Sequence, residues 1–248
     1  MPDSDLLGAF EVHSPEGIGK ALADGASPVA LIKGLKPIDQ LIEAYLRSSR
    51  FADCLRVMLN AGAVIDDPLL EAVLLDDASA LRRLVTELPQ RIHQKVDLLG
   101  AFTSCRGVTA LHVCAEFNSA DCARVLIENG ADVNAVAQCD SDGMGGQTPI
   151  FHAVNSPLNY CRPMMELLIE AGADLQVEVR SLLWGESMSW ETVLYDMTPV
   201  SYAQCGLYRQ FHRQEEDVYS NLQYLYRSKY GTEAAFRNVP NKYLVEGH

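Results

Sequence analysis

The amino-acid sequence predicts an all-α repeat solenoid of about six stacked helix pairs, interrupted by β-hairpin insertions. Three observations lead there. Gly130-Ala131-Asp132 recurs as Gly172-Ala173-Asp174, each time after an apolar run, Val125-Leu126-Ile127 and Leu167-Leu168-Ile169. A Thr-led anchor precedes the helical segments as Thr109-Ala110-Leu111-His112, Thr148-Pro149-Ile150-Phe151 and Thr198-Pro199-Val200-Ser201. Between anchor and triplet lie two amphipathic stretches, each below the ~12–15 residues a lone helix needs. Such stretches hold their shape only by stacking on neighbours that bury the same apolar face.

The elements follow in order. Weaker copies of the triplet stand at Gly25-Ala26-Ser27 and Gly62-Ala63-Val64. The glycines are 37, 68 and 42 residues apart, the middle interval being two units of 34. The anchors are 39 and 50 apart, so the later units carry insertions. Thr suits a helix N-cap, Pro the first helical turn, and Gly the left-handed residue that ends a helix. In the clearest unit the helices fall near 109–117 and 119–129, with Ser119 as cap of the second. Six units result: 5–34, 37–66, 67–100, 107–145, 146–196 and 197–230. Residues 1–230 are read as one solenoid with degenerate ends, and 231–248 as a C-terminal tail. Asp5-Leu6-Leu7-Gly8-Ala9-Phe10 returns as Asp97-Leu98-Leu99-Gly100-Ala101-Phe102, but at a different phase of the unit, so it is read as coincidence.

The segment Gly107-Val108-Thr109-Ala110-Leu111-His112 through Asn129-Gly130-Ala131-Asp132-Val133-Asn134 resembles one complete ankyrin repeat, and Gly146-Gln147-Thr148-Pro149 through Asp174 resembles another. The match is specific over 107–175 and thins on either side. The resemblance implies a module that binds another protein through hairpin fingers between units and through the concave face of the first helices. It places Glu116, Asn155 and Cys205 on or near that face, and it makes His112 a structural residue bonded to the backbone of the adjacent unit. Phe151 and Ser201 take the same position in the next units, as a packing site would allow.

Insertions in repeat stacks map to one face, often the binding face. The connections at 90–106, 135–146 and 175–196 are long. The last is rich in β-formers on both sides of Gly185, which predicts a β-hairpin projecting from the stack. It holds both tryptophans of the chain. Trp184, Met188, Trp190 and Tyr195 are therefore the expected contacts on the finger, with the tryptophans either displayed or packed across the hairpin.

Charge narrows the partner. Residues 1–200 hold 14 Lys/Arg against 28 Asp/Glu, and 201–248 hold 6 against 5, within a net charge of -13. An acidic surface disfavours nucleic acid and anionic membranes and permits a basic protein. No apolar run reaches membrane-spanning length, no signal-like start is present, and seven scattered cysteines suit a reducing compartment. A cytoplasmic monomer that is not an enzyme and needs no cofactor is expected. Asp140-Ser141-Asp142-Gly143 has Phe151 where a calcium loop needs Glu, and Gly143-Met144-Gly145-Gly146 lacks a phosphate-loop pattern. The alternative is a small-ligand or metal-dependent site in the grooves near Cys105, His112 and Cys139, although no Cys-x-x-Cys pair supports it.

Overall fold

Proline and short polar side chains set the helix starts. Pro15, Pro37, Pro68, Pro149 and Pro199 each stand at a first helical turn, where a missing amide hydrogen is no loss. Ser14 accepts from the Gly17 amide at 3.0 Å, Asp67 from Leu69 at 2.8 Å and Asp77 from Ala80 at 2.9 Å. These bonds satisfy amides that a first turn leaves open. The computed structural model describes residues 2–98, 103–186 and 189–234. Within them the helices are α1 (Pro2–Glu11), α2 (Pro15–Ala23), α3 (Pro37–Glu43), α4 (Phe51–Asn60), α5 (Pro68–Leu74) and α6 (Ala78–Glu87). Then come α7 (Ala110–Phe117), α8 (Ala120–Glu128), α9 (Pro149–Ala153), α10 (Arg162–Glu170), α11 (Pro199–Gln204) and α12 (Glu215–Tyr230).

Each even-numbered helix packs on the helix before it, and successive pairs stack: α1 on α3, α2 on α4, α5 on α7, α6 on α8 and α7 on α9. Gly130 and Gly172 end α8 and α10 with φ of 88° and 94°, a conformation that only glycine adopts without strain. The expected cap of α8 is corrected. Ser119 makes no capping bond; Asp76, between α5 and α6, accepts from the Cys122 amide at 2.8 Å instead. A carboxylate from the neighbouring pair is the stronger acceptor, and it ties two pairs together.

Two antiparallel ribbons occupy the long connections. β1 (Lys95–Leu98) pairs with β2 (Cys105–Thr109), placing Lys95 opposite Thr109. β3 (Val179–Trp184) pairs with β4 (Thr192–Met197), placing Val179 opposite Met197 and Trp184 opposite Thr192. The β3–β4 ribbon does not stand clear of the helices as the sequence predicts. Val179, Ser181, Leu182 and Trp184 of β3 are all buried, because the strand is apolar or bonded on both faces. Ser181 accepts from the Gly145 amide and donates its hydroxyl to Gly143 O, both at 2.9 Å.

The buried apolar side chains form one cluster from Leu6 in α1 to Leu225 in α12. Glu215-Glu216-Asp217 is the acidic first turn of α12, where it complements the helix dipole. All seven cysteines are free thiols.

Candidate protein-binding surface

The centre of the concave face is filled by the chain itself. Every residue of α7 and α9 is buried, whereas a first helix in an open stack would turn one side to water. The seven-residue connection 44–50 between α3 and α4 brings Arg47 onto α7. Its guanidinium donates from Nε to Glu116 Oε1 at 2.9 Å, and from an NH1 to Ala44 O at 2.5 Å and Leu46 O at 3.1 Å. The same group lies 4.4 Å from the centre of the Phe117 ring. His152 of α9 donates from Nδ1 to Glu116 Oε2 at 3.0 Å. Burial pushes the Glu116 pKa up, but the Arg47 charge and the bonds from Arg47 and His152 outweigh it, and the net direction is down.

His112 is the structural residue the resemblance implies. Its Nδ1 accepts from the Thr109 amide at 3.2 Å, which leaves Nε2–H to donate to Gln147 O at 3.1 Å in the next unit. Burial, with His152 beside it, brings its pKa down to about 3, so the ring stays neutral.

The expected contact residues separate into two groups. Glu116, Trp184 and Cys205 are corrected: at 4%, 1% and 3% exposure they lie beneath other side chains and present no surface to a partner. Glu116 is engaged by Arg47 and His152. Trp184 stacks on Phe211, ring centres 4.1 Å apart and nearly parallel, and touches Trp190 at 4.6 Å. Cys205 sits with its sulfur 4.0 Å from that of Met197, and burial pushes its thiol up to about 11. Asn155 is half-buried and donates to Tyr202 O at 3.1 Å. Trp190 is half-buried against Trp184 and edge-on to Tyr45 at 6.2 Å. A side chain on Gly185 would enter the Trp190 ring, so this turn requires glycine. Tyr195, on β4, is 64% exposed. Met188 lies outside the described residues.

The alternative set is not assembled. Among the described residues, the group of possible metal-ligand atoms containing Cys105 joins it to Glu116 and His152, within 4.8 Å of one another, and includes neither His112 nor Cys139. Its chemistry is that of an internal ion pair. Arg47 already neutralises the carboxylate, and burial holds the Cys105 thiol well above its ordinary range. Cys139 is exposed on a different connection.

The connections between pairs form a linked edge with apolar side chains turned outward. Lys36 meets Asp66 at 3.2 Å, and Arg91 meets Asp67 at 2.6 Å. Lys95 Nζ donates to Val136 O at 2.7 Å, Gln138 N to Arg106 O at 3.2 Å, and Asp174 N to Asn134 Oδ1 at 2.7 Å. Along this edge Val29, Leu31, Val64, Val136 and Tyr195 are exposed. Composition hid these aliphatic residues, because single exposed apolar side chains are ordinary. The length of the 44–50 connection was the available signal for Arg47.

Known proteins share the pattern. A family profile of ankyrin repeats, in three copies, matches residues 44–137 and 69–179, together more than half of the chain. The chain belongs to the ankyrin-repeat family. The profile reaches well upstream of the segment 107–175, where the motif is plain by eye. Ankyrin repeats generally mediate protein–protein interaction. The ankyrin chain is 37% identical over 76 residues to the mouse B-cell lymphoma 3 protein homolog, covering 30% of this chain and 15% of that protein. It therefore spans a small fraction of that curated relative. The solved ankyrin repeat domain of human ASB11 aligns over 90% of this chain and 81% of its own, at 19% identity and a TM-score of 0.40. Among the described residues no helix is long and apolar enough to cross a membrane.

Proposed function

We propose that this ankyrin chain is a protein-binding module that engages its partner along the edge formed by the connections between helix pairs. One observation carries the reading: exposed apolar side chains recur along the linked connections, from Val29 and Leu31 through Val64 and Val136 to Tyr195. A soluble chain gains nothing from holding such a row in water, while a partner that covers it removes apolar area from solvent. On this reading the scaffold is one solenoid of six units over 1–230, with the β3–β4 ribbon as its largest finger. Tyr195 is the contact on the finger, Trp190 packs on Trp184, and Asn155 acts only through α11. The partner is a protein, neither nucleic acid nor membrane; catalysis and cofactors play no part, and the setting is cytoplasmic.

The test is affinity capture with the full chain and with Tyr195→Thr combined with Val136→Ser, both checked for unchanged melting. Loss of a captured protein with the double variant supports the edge. Capture of the same proteins at the same yield overturns it.

A further inference from the structure

At the N-terminal half of this edge a groove of about 310 Å³ opens between the second and third helix pairs. Its apolar lining comes from Ile42 of α3, Val64 in the connection after α4, Leu70 of α5 and Leu98 of β1. Val64 is 59% exposed at its mouth. The rim is acidic, with Asp39, Asp66, Asp67 and Asp97. Two cations answer these four carboxylates: Lys36 meets Asp66, and Arg91 meets Asp67. Among the described residues no ion pair joins Asp39 or Asp97, so the groove keeps an excess of negative charge within a chain of net charge -13.

We infer that this groove takes a segment of another protein in which lysine or arginine alternates with aliphatic residues. The inference rests on the protein-binding reading of the edge and names the chemistry of the partner there. A phosphate-bearing ligand is repelled by the rim. A small cation would meet the carboxylates and leave the apolar lining wet. The volume lies at the low end of the ~300–1,000 Å³ that encloses a small molecule, so it suits one or two anchoring side chains of a longer chain. In an extended segment successive side chains point to opposite sides. A twist or bend of the segment lets its aliphatic side chains enter the groove while its cations reach the carboxylates of Asp39, Asp66 and Asp97 that line it. Charge complementarity of this kind steers encounter and sets register.

The probe is a short fluorescent peptide of alternating lysine and leucine, titrated into the full chain at low salt and followed by anisotropy. Binding should weaken about tenfold in the Asp39→Asn, Asp66→Asn double variant, at roughly threefold per charge, and should fade as salt rises. Lys36→Glu should tighten it severalfold, a gain that misfolding cannot mimic. Asp53→Asn with Asp121→Asn, on the outer helices α4 and α8, makes the same change in net charge and should leave affinity within about twofold. The proposal is overturned if the peptide does not bind, if the outer pair weakens it as much as the groove pair, or if a leucine-free lysine peptide binds equally well. Those outcomes leave the edge reading standing, because capture through Tyr195 and Val136 is scored separately. Loss of the edge reading with groove-specific peptide binding intact would be equally visible.

Discussion

The concave centre and the connecting edge of this stack use their residues in opposite ways. In the centre, the polar groups at positions where a repeat would face a partner are turned inward: Glu116 binds Arg47 and His152, and Asn155 binds the backbone of α11. At the edge, apolar side chains that could have packed inward face water, as Val64 and Tyr195 do. The difference lies in the insertions. A first helix is a binding face only while nothing lies on it, and here the 44–50 connection lies over α7, while the β3–β4 ribbon packs by β4 on α11 and by Trp190 against Tyr45 of that connection. On the proposed reading, recognition is thereby displaced from the helices to the rim of the stack.

Breaking the cover should have the largest effect. Trp184→Ala removes a ring that fills space between Phe211 and Trp190, and should destabilise the fold by roughly 3–5 kcal/mol in urea unfolding. A loss below about 1 kcal/mol would mean that the ribbon is not packed on the stack. Arg47→Met comes next, at about 3 kcal/mol. It leaves Glu116 buried without its cation, at the lower end of the usual range because His152 still donates and the carboxylate can take up a proton. Adding Glu116→Gln should recover part of that loss. If the double variant is no better than the single, the two residues are not coupled.

The same contrast explains what was legible in the residues. Local signals were: Gly130 and Gly172 adopt the left-handed helix end, and α7 and α8 begin and end within a residue or so of the stretches 109–117 and 119–129. Interactions between distant pairs were not. Arg47 is 69 positions from Glu116, and Asp76, not Ser119, caps α8. The repeated hexapeptide makes the point in one comparison. Asp5–Phe10 lies within α1, while Asp97 and Leu98 of the second copy belong to β1, paired with β2; the remainder of that copy lies outside the described residues. Identical letters take the structure their neighbours complete. For the site, Tyr195 was legible on the hairpin, whereas the aliphatic side chains of the row were not, because nothing local marks an exposed valine as exposed.

Acid should expose the dependence of the centre on neutral histidines. The folded His112 has a pKa near 3 against an ordinary 6.5. Below 6.5 the unfolded chain takes up a proton that the folded chain refuses, so stability falls as pH falls, down to about 3. Between pH 7 and pH 5, above the carboxylate range, His112 alone should account for roughly 2 kcal/mol. His13, brought down to about 4 by burial and by Arg47, acts in the same direction. Urea midpoints measured across this window should drop steadily, and a flat profile would show that these rings are hydrated.

The edge should give the smallest effect on stability. Tyr195 is 64% exposed and stands opposite Ser181 in the ladder. Threonine replaces an aromatic strand former with a β-branched one, so strand preference is retained while the aromatic surface is lost. Tyr195→Thr should change unfolding free energy by less than about 0.5 kcal/mol. A residue kept for packing and a residue kept for contact differ most clearly in this number. If Tyr195→Thr destabilised the chain as Trp184→Ala does, the tyrosine would belong to the cover of the concave face, and the edge would lose its residue on the ribbon.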